Sequence, residues 1–247
     1  MGWADGRLCG FDIETTGEEP DRARIVAATL VLVGANRPSQ EFRLLIDPGV
    51  EIPAASTAVH GITTEQARTE GRAPADALAE IVRLLRTTWE RGLPVVAFNG
   101  SYDFTVLDWE LSRHLDTGVA VTGPVVDPHI IDRTLDRRRG KRTLEATCRH
   151  YRVRLDGAHD ATQDALAATR LAWRLAKRYP AEVGEPSLSE LHDKQVMWSQ
   201  QLADSLNQYW RSQGQDKTMD GTWPVRRAGT GHGRNTVPPV HQSRSSS

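Results

Sequence analysis

The sequence predicts an α/β fold in which helices cover a mixed β-sheet. Three stretches rich in β-branched and apolar residues come first, and short connections containing Gly, Pro, Asn or Asp join them, which is typical of an antiparallel meander. From Pro74 onward, short buried-strand patterns alternate with apolar residues at helical spacing. A meander followed by a βαβα pattern implies a mixed sheet with helices on its faces.

The individual elements follow this division in order. Strands are predicted over residues 7–14, 24–33 and 41–46, because each run ends at a turn signal such as Asp47-Pro48-Gly49. After the helix that Pro74 opens, a strand over 94–98 precedes a helix capped by Ser101, and a strand over 125–126 precedes helices over 143–150 and 161–177. A last amphipathic helix over 187–210 is expected to pack on the domain or on a partner.

Composition divides the chain into three parts. Residues 1–182 are predicted to form one domain with a single core, and residues 183–212 a C-terminal amphipathic helical extension. The last thirty-five residues hold five Gly, three Pro and four Ser without a periodic apolar pattern, which predicts a disordered tail over 213–247.

Composition also excludes several classes of protein. The 247 residues are 38% hydrophobic and 26% charged, as in globular proteins, and the net charge of −1 does not by itself indicate a polyanionic partner. The longest uncharged apolar run, residues 25–35, is too short to span a membrane, and no secretory signal pattern is seen. Two cysteines cannot form a disulfide framework, so a reducing, cytoplasmic location is expected.

Carboxylates at positions where apolar residues are expected are the most informative feature. The strand period places Asp12 and Glu14 on one face, where two carboxylates repel each other unless a cation lies between them. Asp103 and Asp164 lie on the inward stripes of two predicted helices, although each is equally explained as a first-turn acid that the helix dipole stabilises. Hard oxygen ligands without a Cys/His cluster favour Mg²⁺ or Mn²⁺ over structural zinc.

A histidine accompanies these acids. His159 precedes Asp164 by five residues, about 140° around an ideal helix, so it is expected in the turn before that helix. Nearby aspartates favour the imidazolium form and would suit His159 as a proton acceptor, although a lone histidine is more often a surface or core residue. Four carboxylates, one histidine and two divalent ions form a set able to hydrolyse a phosphodiester bond.

Three ordered motifs carry a resemblance to a known family. Phe11-Asp12-Ile13-Glu14-Thr15-Thr16-Gly17, Asn99-Gly100-Ser101-Tyr102-Asp103 and His159-Asp160-Ala161-Thr162-Gln163-Asp164 resemble the exonuclease motifs of the DEDD 3′–5′ exonucleases. The third motif is of the His type, because Asp160 stands where the Tyr type requires tyrosine. Val59-His60-Gly61-Ile62-Thr63 also resembles a segment of members related to the proofreading epsilon subunit of bacterial DNA polymerase III.

The resemblance implies an RNase H-like fold with a mixed five-stranded sheet and a two-metal mechanism that releases nucleoside 5′-monophosphates from a 3′ end. On this chain it implies that Asp12, Glu14, Asp103 and Asp164 hold the two Mg²⁺ or Mn²⁺ ions and that His159 is the general base. It also places Thr15, Thr16 and Asn99 beside the terminal nucleotide. His60 is expected either to line the substrate groove or to hydrogen-bond within its loop.

The substrate and partners follow less directly. Residues 133–154 contain nine Lys or Arg and two acids, which is typical either of a basic rim contacting phosphates or of a solvated helix and loop. DNA 3′ ends, with a polymerase partner, are the substrate and partner expected for proofreading or repair. The alternatives are an RNA or short-oligonucleotide exonuclease of the same superfamily, or a non-catalytic nucleic-acid-binding or scaffold subunit.

Overall fold

A computed structural model describes residues 2–157 and 160–226 and contains one five-stranded mixed sheet in the order β3-β2-β1-β4-β5. The strands are β1 (Arg7–Thr15), β2 (Ile25–Gly34), β3 (Gln40–Leu45), β4 (Val95–Val96) and β5 (Val125–Val126). β1, β2 and β3 pair antiparallel as the predicted meander, whereas β4 and β5 run parallel to β1. The predicted mixed sheet is therefore confirmed.

Eight α-helices surround this sheet in the described part of the chain. They are α1 (Ala54–His60), α2 (Thr64–Glu70), α3 (Pro74–Glu90), α4 (Ser101–Leu115), α5 (Pro128–Leu135), α6 (Leu144–Tyr151), α7 (Ala161–Arg178) and α8 (Leu188–Ser212). Helices α1, α2 and α5 were not predicted. Helix α1 buries none of its side chains and α2 buries only Ala67, so neither shows the apolar stripe by which a helix is recognised.

Alternation along β1 divides the core between the two faces of the sheet. Cys9, Phe11 and Ile13 pack on the side of α3 and α4, where the Phe11 and Phe104 ring centroids lie 5.5 Å apart. Leu8 packs on the other side with Leu171 and further residues of α7. The even-numbered residues of β1, which include Asp12 and Glu14, therefore face α7.

The chain after the sheet also packs on it. The Gln195 side chain of α8 accepts a hydrogen bond from the Asp127 N–H at 2.6 Å and donates one to the Val125 carbonyl at 3.0 Å, so α8 lies against the end of β5. Residues 214–226 belong to the tail that the sequence predicts to be disordered, but the structure places part of this segment against the domain. Trp223 is 4% exposed and the Arg226 N–H donates a hydrogen bond to Thr105 Oγ1 at 2.9 Å. Burial of one large indole is enough to anchor a segment whose composition is otherwise polar. The rest of the predicted tail lies outside the described residues.

Among the residues that the structure describes, none of the helices combines the length and the apolar character needed to cross a membrane. Cys9 and Cys148 are both buried and form no disulfide.

Candidate active site

A close approach of α7 to β1 builds the acidic cluster. A Cβ atom added to Gly10 would lie 2.5 Å from the carbonyl oxygen of Ala165, so only glycine allows the helix backbone to come this near the strand. Asp164 directly precedes Ala165 and therefore lies beside the even-numbered face of β1. As a result, carboxylate oxygens of Asp12, Glu14 and Asp164 all lie within 4.8 Å of one another.

Electrostatics distinguishes this cluster from an ordinary acidic surface. Burial, followed by the charges of Asp103, Glu14 and Asp164, raises the pKa of Asp12 well above its ordinary value. Burial and the neighbouring Asp164 raise the pKa of Glu14 to about 8. The described residues supply no ion pair to Asp12 or Glu14. Like charges held this close favour binding of an external cation.

Asp103 adjoins the cluster from α4. It lies in the first turn of that helix, is 5% exposed, and accepts a hydrogen bond from the Ile13 N–H at 3.2 Å through Oδ1. Burial raises its pKa above the ordinary value, although hydrogen bonds from its own N–H and that of Ile13 oppose this. Asp103 is not one of the three residues whose oxygens lie within 4.8 Å, but its charge acts on Asp12.

A cleft of about 720 Å³ opens beside Glu14. All four residues predicted to contact the substrate line it, namely Thr15, Thr16, His60 and Asn99. The Thr16 hydroxyl accepts a hydrogen bond from the Arg24 N–H at 2.9 Å, and His60 Nδ1 accepts one from the Ile62 N–H at 3.1 Å. His60 therefore lines the cleft and also hydrogen-bonds within its loop.

Two residues of the site were missed by the sequence analysis. The Tyr102 hydroxyl lies 2.6 Å from Thr15 Oγ1, donates to the Gly17 carbonyl and lines the same cleft. Asp127 follows β5 and accepts hydrogen bonds from the N–H groups of Asn99 at 2.9 Å and Gly100 at 3.0 Å, which fixes the turn that starts α4. Burial raises the pKa of Asp127 to about 6.

The start of α7 is anchored to β3. Asp160 caps the helix by accepting hydrogen bonds from the Thr162 and Gln163 N–H groups, and its other oxygen lies 3.2 Å from Arg43 Nη2. The Thr162 hydroxyl donates to Glu41 at 2.6 Å. These contacts fix the first turn of α7 against β3. His159, the predicted general base, lies outside the described residues.

The basic stretch over residues 133–154 is partly internal. Arg138 and Arg142 both bind the fully buried carboxylate of Asp132. Arg149 pairs with Glu145 and Arg154 with Asp156. The remaining cations, which the structure pairs with no described carboxylate, are Arg133, Arg137, Arg139, Lys141 and Arg152. Five of the nine cations in this stretch are therefore exposed without a described carboxylate partner.

Comparison with known proteins places this arrangement in a family. Residues 9–172, which include every described element from β1 into α7, match the model of the RNase T exonuclease family. The chain belongs to the RNase T exonuclease family. The match confirms the predicted resemblance and the prediction that the chain carries a domain of the 3′–5′ exonuclease type.

Relatives of this exonuclease domain are much longer proteins. A DNA polymerase III subunit epsilon-like protein of Rhodobacter capsulatus is 31% identical over 170 residues, which are 67% of this chain and 23% of that protein. A PolC-type DNA polymerase III of Listeria innocua is 27% identical over 206 residues, 83% of this chain and 13% of that protein. The chain thus spans less than a quarter of the length of either relative.

Solved structures confirm the fold of the exonuclease domain. A zinc-bound complex of Escherichia coli exonuclease I with single-stranded DNA superposes with a TM-score of 0.60 at 18% identity, over 72% of this chain and 42% of that one. Exonuclease I of Methylocaldum szegediense gives a TM-score of 0.57 at 21% identity, over 71% of this chain and 41% of that one. The prediction of an RNase H-like exonuclease fold is therefore confirmed.

The family implies dependence on a divalent metal ion, and the residues of this chain fit that requirement. Three carboxylates converge within 4.8 Å, the pKa values of two of them are raised, and the described residues supply Asp12 and Glu14 with no cation. Oxygen-only donor sets of this kind suit hard divalent cations.

Proposed function

We propose that this protein removes nucleotides from the 3′ ends of DNA by hydrolysing phosphodiester bonds and releasing nucleoside 5′-monophosphates. The observation that carries the proposal is the convergence of Asp12, Glu14 and Asp164 beside a cleft of about 720 Å³, within a chain of the exonuclease family. A metal-dependent exonuclease needs this combination, because its cation site must adjoin a groove that accepts the terminal nucleotide.

Each residue of the site has a role in this proposal. Asp12, Glu14 and Asp164 would hold Mg²⁺ or Mn²⁺, and Asp103 would support a second ion from the α4 side. Bound there, two divalent ions would activate the attacking water and stabilise the leaving oxygen. His159 takes the proton from that water as general base, as the resemblance implies.

The cleft residues position the end of the strand. Thr15, Thr16, His60 and Asn99 line the space next to Glu14 and are proposed to contact the terminal nucleotide. Tyr102 joins them, because its hydroxyl braces Thr15 and the Gly17 carbonyl and thereby fixes the wall of the cleft. A rigid wall lowers the entropic cost of aligning the scissile bond.

DNA is preferred over RNA as the proposed substrate because the relatives of this domain are named as DNA polymerase III proteins. A polymerase partner is part of the same proposal, and 3′-mismatched ends are then the ends it would trim. An RNA or short-oligonucleotide exonuclease remains the second outcome that the experiment must separate.

The test is a gel time course on 5′-labelled single-stranded DNA, 3′-mismatched duplex DNA and RNA. Each substrate is incubated with Mg²⁺, Mn²⁺ or EDTA, and the His159→Ala protein is run beside the natural one. We expect metal-dependent shortening from the 3′ end, loss of shortening in EDTA, and a reduction of about 10²- to 10⁴-fold in the variant. Faster turnover of RNA than of DNA would overturn the assignment of DNA as the substrate. If a folded protein shortens none of the substrates, the assignment of exonuclease activity would be overturned.

A further inference from the structure

A second pocket lies on the same face of the sheet as the acidic cluster, beyond the middle of α7. It has a volume of about 400 Å³, and its floor is apolar, formed by Leu8, Val33 and Val153. Leu8 is four residues before Asp12 on β1, which corresponds to about 13 Å along the strand. The pocket is therefore separate from the cleft beside Glu14, with which it shares no lining residue.

Arginines form the rim of this pocket. Arg152, Arg154, Arg170 and Arg174 all line it. Arg154 pairs with Asp156, whereas Arg170 and Arg174 donate to backbone carbonyls, Arg170 to that of Arg154 at 3.0 Å and Arg174 to that of Tyr151 at 3.1 Å. Within residues 2–157 and 160–226, none of the carboxylates forms an ion pair with Arg152, Arg170 or Arg174. Three guanidinium groups thus have donors left for an external anion.

An aromatic ring completes the pocket. Trp173 lines it and is 43% exposed, although Leu171 and Leu175 of the same helix are buried. The Lys177 ammonium lies 6.0 Å from the centroid of the ring and pairs with Asp5 at 2.7 Å, so its charge is already compensated. An exposed indole beside guanidinium groups is suited to stack on a nucleobase while the arginines bind phosphates.

We propose that this pocket, defined by Arg152, Arg170, Arg174 and Trp173, binds the single strand of nucleic acid whose 3′ end enters the acidic cleft. The inference rests on the proposed function, because it assigns the strand upstream of the cleaved end. Trp173 follows Asp164 by nine residues, which corresponds to about 14 Å along α7 and about half a turn around it. A strand of about four stacked nucleotides or more spans that separation.

Charge and chemistry favour a strand over an acidic peptide. Both would pair with the guanidinium groups, but a strand also presents planar bases to the exposed indole and is the polymer that the acidic cluster acts upon. The segment over residues 227–247 is excluded as an occupant by charge, because its sequence contains Arg and His but no acidic side chain.

The test measures binding without hydrolysis. Fluorescence anisotropy of labelled oligothymidylate of about twenty nucleotides, and of a thymidine dinucleotide, is recorded in EDTA between about 50 and 200 mM salt. We compare the natural protein with Arg152→Gln/Arg170→Gln and with Trp173→Leu. Arg91→Gln/Arg211→Gln is the charge-matched control, because both of these arginines are exposed and neither lines the pocket.

The two site variants have different expected signatures. Loss of two phosphate contacts lowers affinity for the long strand about tenfold or more and reduces the salt slope by about 1.4, because each contact to a single strand contributes about 0.7. Trp173→Leu lowers the affinity for the long strand about tenfold and leaves the salt slope unchanged, since stacking releases no counterions. Neither variant lowers the affinity for the dinucleotide by as much, because a dinucleotide is too short to reach from the cleft to the pocket.

Equal losses in the site variants and in the control would overturn the proposal, as would equal losses for long and short strands. A labelled acidic peptide that binds the natural protein but not Arg152→Gln/Arg170→Gln, with strand binding unchanged, would overturn it in favour of a peptide site. If the arginine variant does not fold, the affinity of Trp173→Leu for the long strand tests the proposal alone. Hydrolysis of the dinucleotide with metal tests the proposed function separately, because that substrate does not occupy the pocket.

Discussion

Two clusters of carboxylates in the described part of the chain differ in one respect, because only one of them contains its own cations. Asp132 of α5 is fully buried, yet Arg138 and Arg142 both bind it, with Arg142 Nη1 2.8 Å from Oδ2. Asp136 extends this network toward Arg138 and His150. The cluster of Asp12 and Glu14 receives no such partner from the described residues.

The protonation behaviour of the clusters differs accordingly. Burial acts against ionisation of Asp136, but the Arg138 N–H, the His150 ring and the Arg138 charge lower its pKa to about 2. Burial and neighbouring carboxylates instead raise the pKa of Glu14 to about 8. Carboxylates with internal arginines thus have their charge compensated within the fold, whereas carboxylates without them mark a place for an external cation.

The largest effect is expected from removing one charge of the metal cluster. Asp164→Asn keeps the shape of the side chain but weakens the divalent site, so hydrolysis should fall about 10³-fold, the equivalent of several kcal/mol of transition-state stabilisation. Single-turnover rates at saturating metal measure this. The matched control is Asp76→Asn, which changes an exposed acid in the first turn of α3 and should leave the rate unchanged. Equal rates for the two variants would remove Asp164 from the site.

The next effect concerns stability and the other cluster. Asp132→Asn leaves Arg138 and Arg142 without the carboxylate that both bind, so the free energy of unfolding should fall by about 3–5 kcal/mol. Urea denaturation measures the change. Metal affinity of the folded fraction, followed by calorimetry, should be unaffected because Asp132 is not among the clustered ligands. A change of less than about 1 kcal/mol would show that this network contributes little to stability.

A smaller effect should follow from Gly10→Ala. The added Cβ would lie 2.5 Å from the Ala165 carbonyl oxygen, so α7 must shift away from β1, at a cost of about 1–3 kcal/mol. The same shift moves Asp164 away from Asp12 and Glu14, and metal affinity should fall with stability. Gly17→Ala is the control, because a Cβ there meets no atom within 4 Å. Unchanged metal affinity in Gly10→Ala would mean that the spacing of helix and strand does not set the site.

The sequence predicts the strands of the meander because runs of β-branched and apolar residues end at turn signals, and it predicts helix α7 because apolar residues recur there at helical spacing. It also singles out Asp12, Glu14, Asp103 and Asp164 as acids that stand where apolar residues are expected, and oxygens of Asp12, Glu14 and Asp164 lie within 4.8 Å of one another. It does not predict Asp127, whose role depends on the parallel ends of β4 and β5 meeting at one edge of the sheet. Trp223 was missed for a similar reason, because its burial depends on the groove between α4 and α8 and not on local pattern.

The smallest expected effect is a pH-dependent gain in stability when the metal cluster loses a charge in the absence of metal. The folded state raises the pKa of Glu14 from its ordinary value of 4.5 to about 8 and also raises that of Asp12. The folded protein therefore binds more protons than the unfolded chain in this interval, and stability without metal should fall as the pH rises from about 4.5 through 8. Metal binding, which requires the ionised carboxylates, should strengthen over the same interval.

Asp12→Asn removes one of these repelling charges at every pH. In EDTA its melting temperature should exceed that of the natural protein by about 2–4 °C above pH 8, for a gain of about 1 kcal/mol, and the difference should shrink below pH 5. The melting temperature of Asp132→Asn should lie below that of the natural protein at every pH, because this substitution removes a carboxylate that arginines already bind. A destabilised Asp12→Asn protein at high pH would show that the Asp12 carboxylate has an internal partner, and the contrast between the two clusters would then fail. Stabilisation of the Asp12→Asn protein together with loss of hydrolysis would instead show that the Asp12 charge destabilises the folded state unless a bound cation compensates it.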